Sequence, residues 1–192
     1  MIGYAVAIQP GAQMFDAILF DLDGTLIDTE SLALAAGIAA FADLGHPVTL
    51  DFLHSLVGVD LPTASRIIGG AHPALDQAVL HPVWQDSFLA AMERDGLAMK
   101  PGALDLLAAK LLPMALVTSS GRQEAHHKLA KVGIARHFDV VITLDDVSEA
   151  KPSPVPYLLA AERLGVDPTR CLVFEDSETG AEAAHRAGCF VV

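Results

Sequence analysis

Four short runs of apolar residues, each breaking off where polar chemistry begins, constrain this chain more than anything else in it. They are Ala17–Phe20, Met114–Val117, 140–143 and Cys171–Phe174, and 190–192 opens a fifth. Runs this short and apolar throughout fit strands buried on both faces of a parallel sheet. Helical patterns with ordinary stop residues separate the later ones: 123–132 ends at Gly133, 154–164 follows Ser153 and ends at Gly165, and 179–187 ends at Gly188. Strand alternating with helix predicts an α/β fold, an open, doubly wound parallel sheet of Rossmann-like form.

One connection breaks that rhythm. Residues 21–113 separate the first two strands, far more than one crossover helix requires. Helical patterns fill the gap: 31–44 stops at Gly45, 50–57 follows Thr49, 61–68 follows Asp60 and stops at Gly69-Gly70, and 75–93 is interrupted at Pro82. The expected organisation is an N-terminal extension over 1–14, an α/β core over 15–28 and 101–192, and an inserted all-helical cap domain over 29–100. No internal repeat or low-complexity tract is visible.

Composition removes several function classes. Hydrophobic residues make up 52% and charged residues 19%, which excludes a disordered chain. The longest uncharged apolar stretch, 31–42, is too short for the roughly 18–20 residues of a membrane span. The formal net charge is −12, and no lysine or arginine precedes Arg66. Such a surface repels phosphate backbones and anionic lipid, so neither nucleic acid nor membrane is expected as a partner. The apolar segment 4–8 lacks a basic flank and does not read as a secretory signal. Cys171 and Cys189 lie in strand-like runs as core thiols, which suits a cytoplasmic protein.

Ligands of open α/β sheets bind beyond the carboxyl ends of the strands. Asp21-Leu22-Asp23-Gly24-Thr25-Leu26 follows the first strand, Thr118-Ser119-Ser120 the second, Lys151-Pro152 comes after the third, and Glu175-Asp176 follows the fourth. Together they gather carboxylates, a hydroxyl and an ammonium around one point. Clustered carboxylates repel unless a cation intervenes, and Mg²⁺ favours a few carboxylates plus phosphate oxygens. A hydroxyl, backbone amides and one lysine form a cradle for a phosphate. Asp21 could attack that phosphate, and Asp23 could protonate the leaving oxygen and later deprotonate water. An EF-hand reading of Asp-x-Asp fails, because Leu26 stands where that loop needs glycine.

These motifs, in this order, resemble the haloacid dehalogenase (HAD) superfamily, in its phosphatase and β-phosphoglucomutase-like branch with a helical cap after strand one. The resemblance implies a Mg²⁺-dependent hydrolase of small phosphate monoesters, sugar or polyol phosphates above all, working through an aspartyl-phosphate. It implies Asp21 as nucleophile and metal ligand, and Asp23 as general acid/base with its carbonyl on the metal. Thr118 and the Ser119 amide would hold the phosphoryl group, Lys151 would neutralise it, and Asp176 with Glu175 would complete the metal site. The alternatives are a hexose phosphomutase of the β-phosphoglucomutase type and a non-catalytic HAD-fold binding protein. A monomer or weak homodimer is expected.

Several positions separate the members of that branch. No lysine precedes Lys100, which removes the cap Schiff base of phosphonate-cleaving relatives, and Asp23 argues against a dehalogenase. The mutases' second-phosphate arginine follows a Gly-Val pair. Here the pair is Gly58-Val59 and the arginine position holds Leu61, leaving Arg66 as the candidate clamp. Gly58, Val59 and Leu61, with His54 and Val57, are expected to line or support the cap loop facing the site, or to form an amphipathic core stripe. Trp84 and Phe88, four apart, are expected in the cap core. Arg122 could reach a phosphate or substrate hydroxyl, or form a surface salt bridge, and Asp145, Asp146 and Glu149 could touch the metal's outer shell or be solvated loop charges. Relatives continue past the fifth strand while Val192 falls within it, so an exposed edge strand is expected there.

Overall fold

In the computed structural model, the structure describes residues 14–57, 59 and 61–192. Five parallel strands form one sheet in the order β3-β2-β1-β4-β5: β1 (Ala17–Phe20), β2 (Met114–Val117), β3 (Val140–Ile142), β4 (Cys171–Phe174) and β5 (Phe190–Val191). The fold is α/β, as the apolar runs predict. The chain winds outward from β1 through β2 to β3, then returns to place β4 on the other flank of β1. The carboxyl ends of β1 and β4 therefore lie side by side where the winding reverses, the position at which such sheets bind ligands.

The two-residue period of β1 divides the core. Ala17 and Leu19 face one side, against Tyr157, Ala160 and Ala161 of α7 (Val155–Leu164) and Ala183 and Ala184 of α8 (Glu178–Arg186). Ile18 and Phe20 face the other, with Leu107 of α5 (Ala103–Ala109) and Leu129 of α6 (Arg122–Val132). Phe20 also stacks on Phe174 of the neighbouring strand, their ring centroids 5.3 Å apart. All four side chains of β1 are buried, which is why the strand reads as a continuous apolar run.

Four helices lie between β1 and α5: α1 (Thr29–Asp43), α2 (Leu50–His54), α3 (Leu61–Ala71) and α4 (Gln77–Asp95). They bury a separate cluster that includes Leu34, Phe41, Leu53, Ile68 and Leu80. The Asp28 side chain caps α1 by accepting from the Ser31 N–H, and Thr49 caps α2 by accepting from that of Phe52. Two expected breaks are absent: α3 continues through Gly69-Gly70, and α4 through Pro82. Packing overrides local propensity there, since Leu80 is buried in the cluster and the Trp84 indole N–H donates to the Ala33 carbonyl of α1 at 2.8 Å. Helix α5, which the Lys100-Pro101-Gly102 linker reading passes over, forms directly after a left-handed Gly102.

The chain segments joining the helical insertion to the sheet pair with each other. The Asp28 N–H donates to the Ala98 carbonyl at 2.9 Å and the Lys100 N–H to that of Leu26 at 2.9 Å, with Ile27 and Met99 bridged antiparallel. Residues 1–13 of the expected N-terminal extension lie outside the described residues. No helix among the described residues is long and apolar enough to cross a membrane.

Helices α1 and α4 approach closely at Gly37. A Cβ there would lie 2.5 Å from Trp84 Cζ2 and 2.9 Å from Leu53 Cδ1, both held in the packed cluster. Gly37→Val should therefore destabilise the protein by about 1–3 kcal/mol, read as a lower urea midpoint at unchanged slope.

Candidate active site

Lys151, in the loop between β3 and α7, organises the carboxyl edge of the sheet. Its ammonium donates to Asp21 Oδ1 after β1 (2.7 Å), to Glu175 Oε1 after β4 (2.5 Å) and to the Val117 carbonyl ending β2 (3.0 Å). The lysine side chain is only 4% exposed and that of Glu175 fully buried. Glu175 is held further by the Tyr157 hydroxyl, which donates to Oε1 at 3.0 Å, and by the Ser177 N–H and hydroxyl, which donate to Oε2 at 3.0 and 2.9 Å. A Cβ on Gly180 would collide with the Glu175 carboxylate, so the first turn of α8 needs glycine there.

Asp176 lies on the outer side of the same loop and accepts from the Thr25 hydroxyl at 2.9 Å. Gly24 turns beneath it at φ +89°, where a Cβ would run into the Asp176 carboxylate. Asp21, Glu175 and Asp176 each bring a carboxylate oxygen within 4.8 Å of the others. Three carboxylates against one ammonium leave uncompensated negative charge, and an all-oxygen donor set fits a hard divalent cation.

Burial pushes the Asp21 carboxyl up to about 7; the Lys151 ammonium opposes this, and the Glu175 charge adds to it. Glu175 moves the other way: burial alone would raise it, but Lys151 and the two Ser177 donors hold it below the ordinary carboxylate range. The Tyr157 hydroxyl is raised by burial and by the Glu175 and Asp21 charges, so it stays a proton donor.

Thr118 is buried at the tip of β2, its N–H donating to the Ile142 carbonyl at 3.0 Å, and Ser119 is exposed beside it. Asp23 turns away from the three-carboxylate cluster. Its Oδ2 accepts from the Ser120 hydroxyl at 3.0 Å and its Oδ1 from the Lys128 ammonium of α6 at 2.7 Å. Lys128 escapes a reading based on strand ends, because it lies well inside a helix. Its only sequence signal is Glu124 four residues earlier on the same helix face.

A cleft of about 490 Å³ opens above Asp23, Gly24 and Asp176, roofed by Glu30 of α1 and His81, Trp84, Gln85 and Phe88 of α4. No lysine or arginine lines it among the described residues. Phe88, expected in the cap core, thus faces the cleft, and Trp84 serves both places. Of the α2–α3 loop, Val59 is half-buried and is not among the lining residues, Gly58 lies outside the described residues, and Leu61 is placed only as the first residue of α3. Arg122 pairs with Asp146 at 2.9 Å and edges a neighbouring cleft of about 530 Å³. Asp145 and Asp146 are taken up by that loop, through the Arg122 N–H and through Thr143, and Glu149 accepts from Ser153.

The arrangement has counterparts. The family model for haloacid dehalogenase-like hydrolases matches residues 15–188. The chain belongs to that family. A phosphorylated carbohydrates phosphatase of Thermotoga maritima is 34% identical over 176 residues, 90% of this chain and 82% of its own. The fructose-1-phosphate phosphatase of Escherichia coli is 33% identical over 182 residues, covering 92% of this chain and 94% of that one. Among solved structures, a HAD family hydrolase from Deinococcus radiodurans R1 with bound phosphate and sodium superposes with a TM-score of 0.79 at 30% identity, over 94% of this chain and 80% of that one.

The raised Asp21 carboxyl gives this HAD-family hydrolase a specific pH signature. An unfolded aspartate ionises near its ordinary 3.8, whereas the native one holds its proton to about 7. Its contribution to stability is thus full below 3.8 and is lost as pH rises to about 7. In EDTA, Asp21→Asn should be more stable than the parent at pH 8 by about 2–4 kcal/mol, and the gain should shrink toward pH 5. Thermal unfolding of both proteins across that range checks this.

Proposed function

We propose that this hydrolase cleaves phosphate monoesters of small neutral polyhydroxylated metabolites, sugar or polyol phosphates, using Mg²⁺ and an aspartyl-phosphate intermediate. The observation that carries this reading is the Lys151 ammonium joining Asp21 to Glu175, in the same two loops whose Asp23 and Asp176 line a cleft. Asp21 attacks phosphorus as the bond from phosphorus to the ester oxygen breaks, and Asp23 gives that oxygen its proton. Water then attacks the phosphoryl group on Asp21, passing its proton to Asp23, and inorganic phosphate leaves. The Thr118 hydroxyl, the Ser119 N–H and Lys151 bind the phosphoryl oxygens.

Asp21, Asp176 and the Asp23 carbonyl would hold the metal. Bound there, Mg²⁺ would offset the repulsion between carboxylate and phosphate and so favour attack. Glu175 serves instead to orient Lys151, since both of its oxygens already accept hydrogen bonds. Residues 29–100 act as the cap over the core of 15–28 and 101–192, with Trp84 and Phe88 supplying an apolar face and Glu30, His81 and Gln85 the partners for hydroxyls. A cleft lined by no lysine or arginine among the described residues disfavours a second phosphate, and with it the mutase reading. Arg66 donates to Thr63 within α3 at 2.7 Å and does not line the cleft.

Phosphate release from a panel of sugar, polyol and nucleoside monophosphates, in Mg²⁺ or EDTA, tests this. Turnover is expected with sugar or polyol phosphates in Mg²⁺, falling to background in EDTA and in Asp21→Asn, with an acid-stable phosphoryl group trapped on Asp21 in the parent. No release from any compound by the folded protein sinks the reading.

A further inference from the structure

We propose that Lys128 is a positioning residue for the acid/base Asp23, a second lysine serving the second aspartate as Lys151 serves the first. This rests on the phosphomonoester reading above. The Lys128 side chain is 4% exposed, and a buried ammonium is costly unless its partners are built around it. Three are present: Asp23 Oδ1 at 2.7 Å, the Ser120 hydroxyl oxygen at 3.1 Å and Glu124 Oε1 at 2.5 Å. Ser120 in turn donates to Asp23 Oδ2 at 3.0 Å. Both oxygens of Asp23 are therefore held from the α6 side, which fixes the plane of the carboxylate.

Lys151 cannot do this work, since its donors go to Asp21, Glu175 and the Val117 carbonyl. The two aspartates stand two residues apart yet are anchored by different cations on different elements. Asp23 is still 31% exposed at its side chain and lines the cleft together with Glu124, so the clamp leaves it facing the leaving group. Proton transfer depends on that aim, and a misplacement of about 1 Å can cost about a hundredfold in rate.

The test compares Lys128→Met, Lys128→Arg, Asp23→Ala and the Asp23→Ala/Lys128→Met double variant. All are assayed in Mg²⁺ on p-nitrophenyl phosphate and on the sugar phosphate that the parent turns over best. Lys128→Met should lower kcat for the sugar phosphate by about 10- to 100-fold with KM within about threefold, and Lys128→Arg should recover most of the loss. In the Asp23→Ala background, Lys128→Met should change p-nitrophenyl phosphate turnover by less than about twofold, because a residue acting through Asp23 has nothing left to position. If the methionine variant does not fold, Lys128→Gln takes its place in the same cycle.

An unchanged kcat overturns the proposal. So does a loss carried in KM, or an equal loss with and without Asp23, which would mark a role in packing alone. A parent inactive on every phosphate monoester removes the phosphomonoester reading and this positioning role with it. An active parent indifferent to Lys128→Met removes only the latter.

Discussion

Two carboxylates and one ammonium, all withdrawn from water, set the terms for the carboxyl edge of the sheet. Among the described residues Lys151 is the cation that bridges Asp21 and Glu175, and it opposes the rise that burial imposes on both carboxyls. The rest of the loop chemistry secures that triangle. Tyr157 and Ser177 occupy the remaining lone pairs of Glu175, and Gly180 leaves room for its head. The charge left over is negative and collects where Asp176 joins, so the arrangement that immobilises the lysine also leaves an acidic cluster at the strand tips.

The sheet order explains why these groups meet. Because β1 is central and β4 lies beside it, Asp21 and Glu175 emerge next to each other although far apart in the chain. The register supports this: Phe20 is level with Phe174, so the residue after each strand leaves the sheet at the same height. Side chains below that line are apolar on both faces, which confines ionised groups to the strand tips.

Much of this could be read in the residues themselves. All five strands start where the apolar runs start, and β1 and β2, buried throughout, show why: strands buried on both faces tolerate no polar interruption. The acidic and hydroxyl residues at the tips were legible for the same reason, each marking where burial stops. The insertion was less so. Gly69-Gly70 and Pro82 are local helix breakers, and only contacts with distant residues such as Ala33 show why the helices continue. Which helical residues roof the cleft was illegible too, since Phe88 differs from a core phenylalanine only by what stands opposite. Lys128 was hidden because its partner Asp23 is 105 residues away.

The paired segments at Ile27 and Met99 bear on how the helical insertion can move. Two separate threads would let it drift in any direction, but these two are cross-linked by backbone hydrogen bonds into one narrow ribbon. A ribbon of that kind bends across its thin dimension far more readily than it stretches or shears. The helices over the cleft are thereby carried on one joined connection at residues 27 and 99, and Glu93 of α4 adds a second tie through His127 and Lys131 of α6.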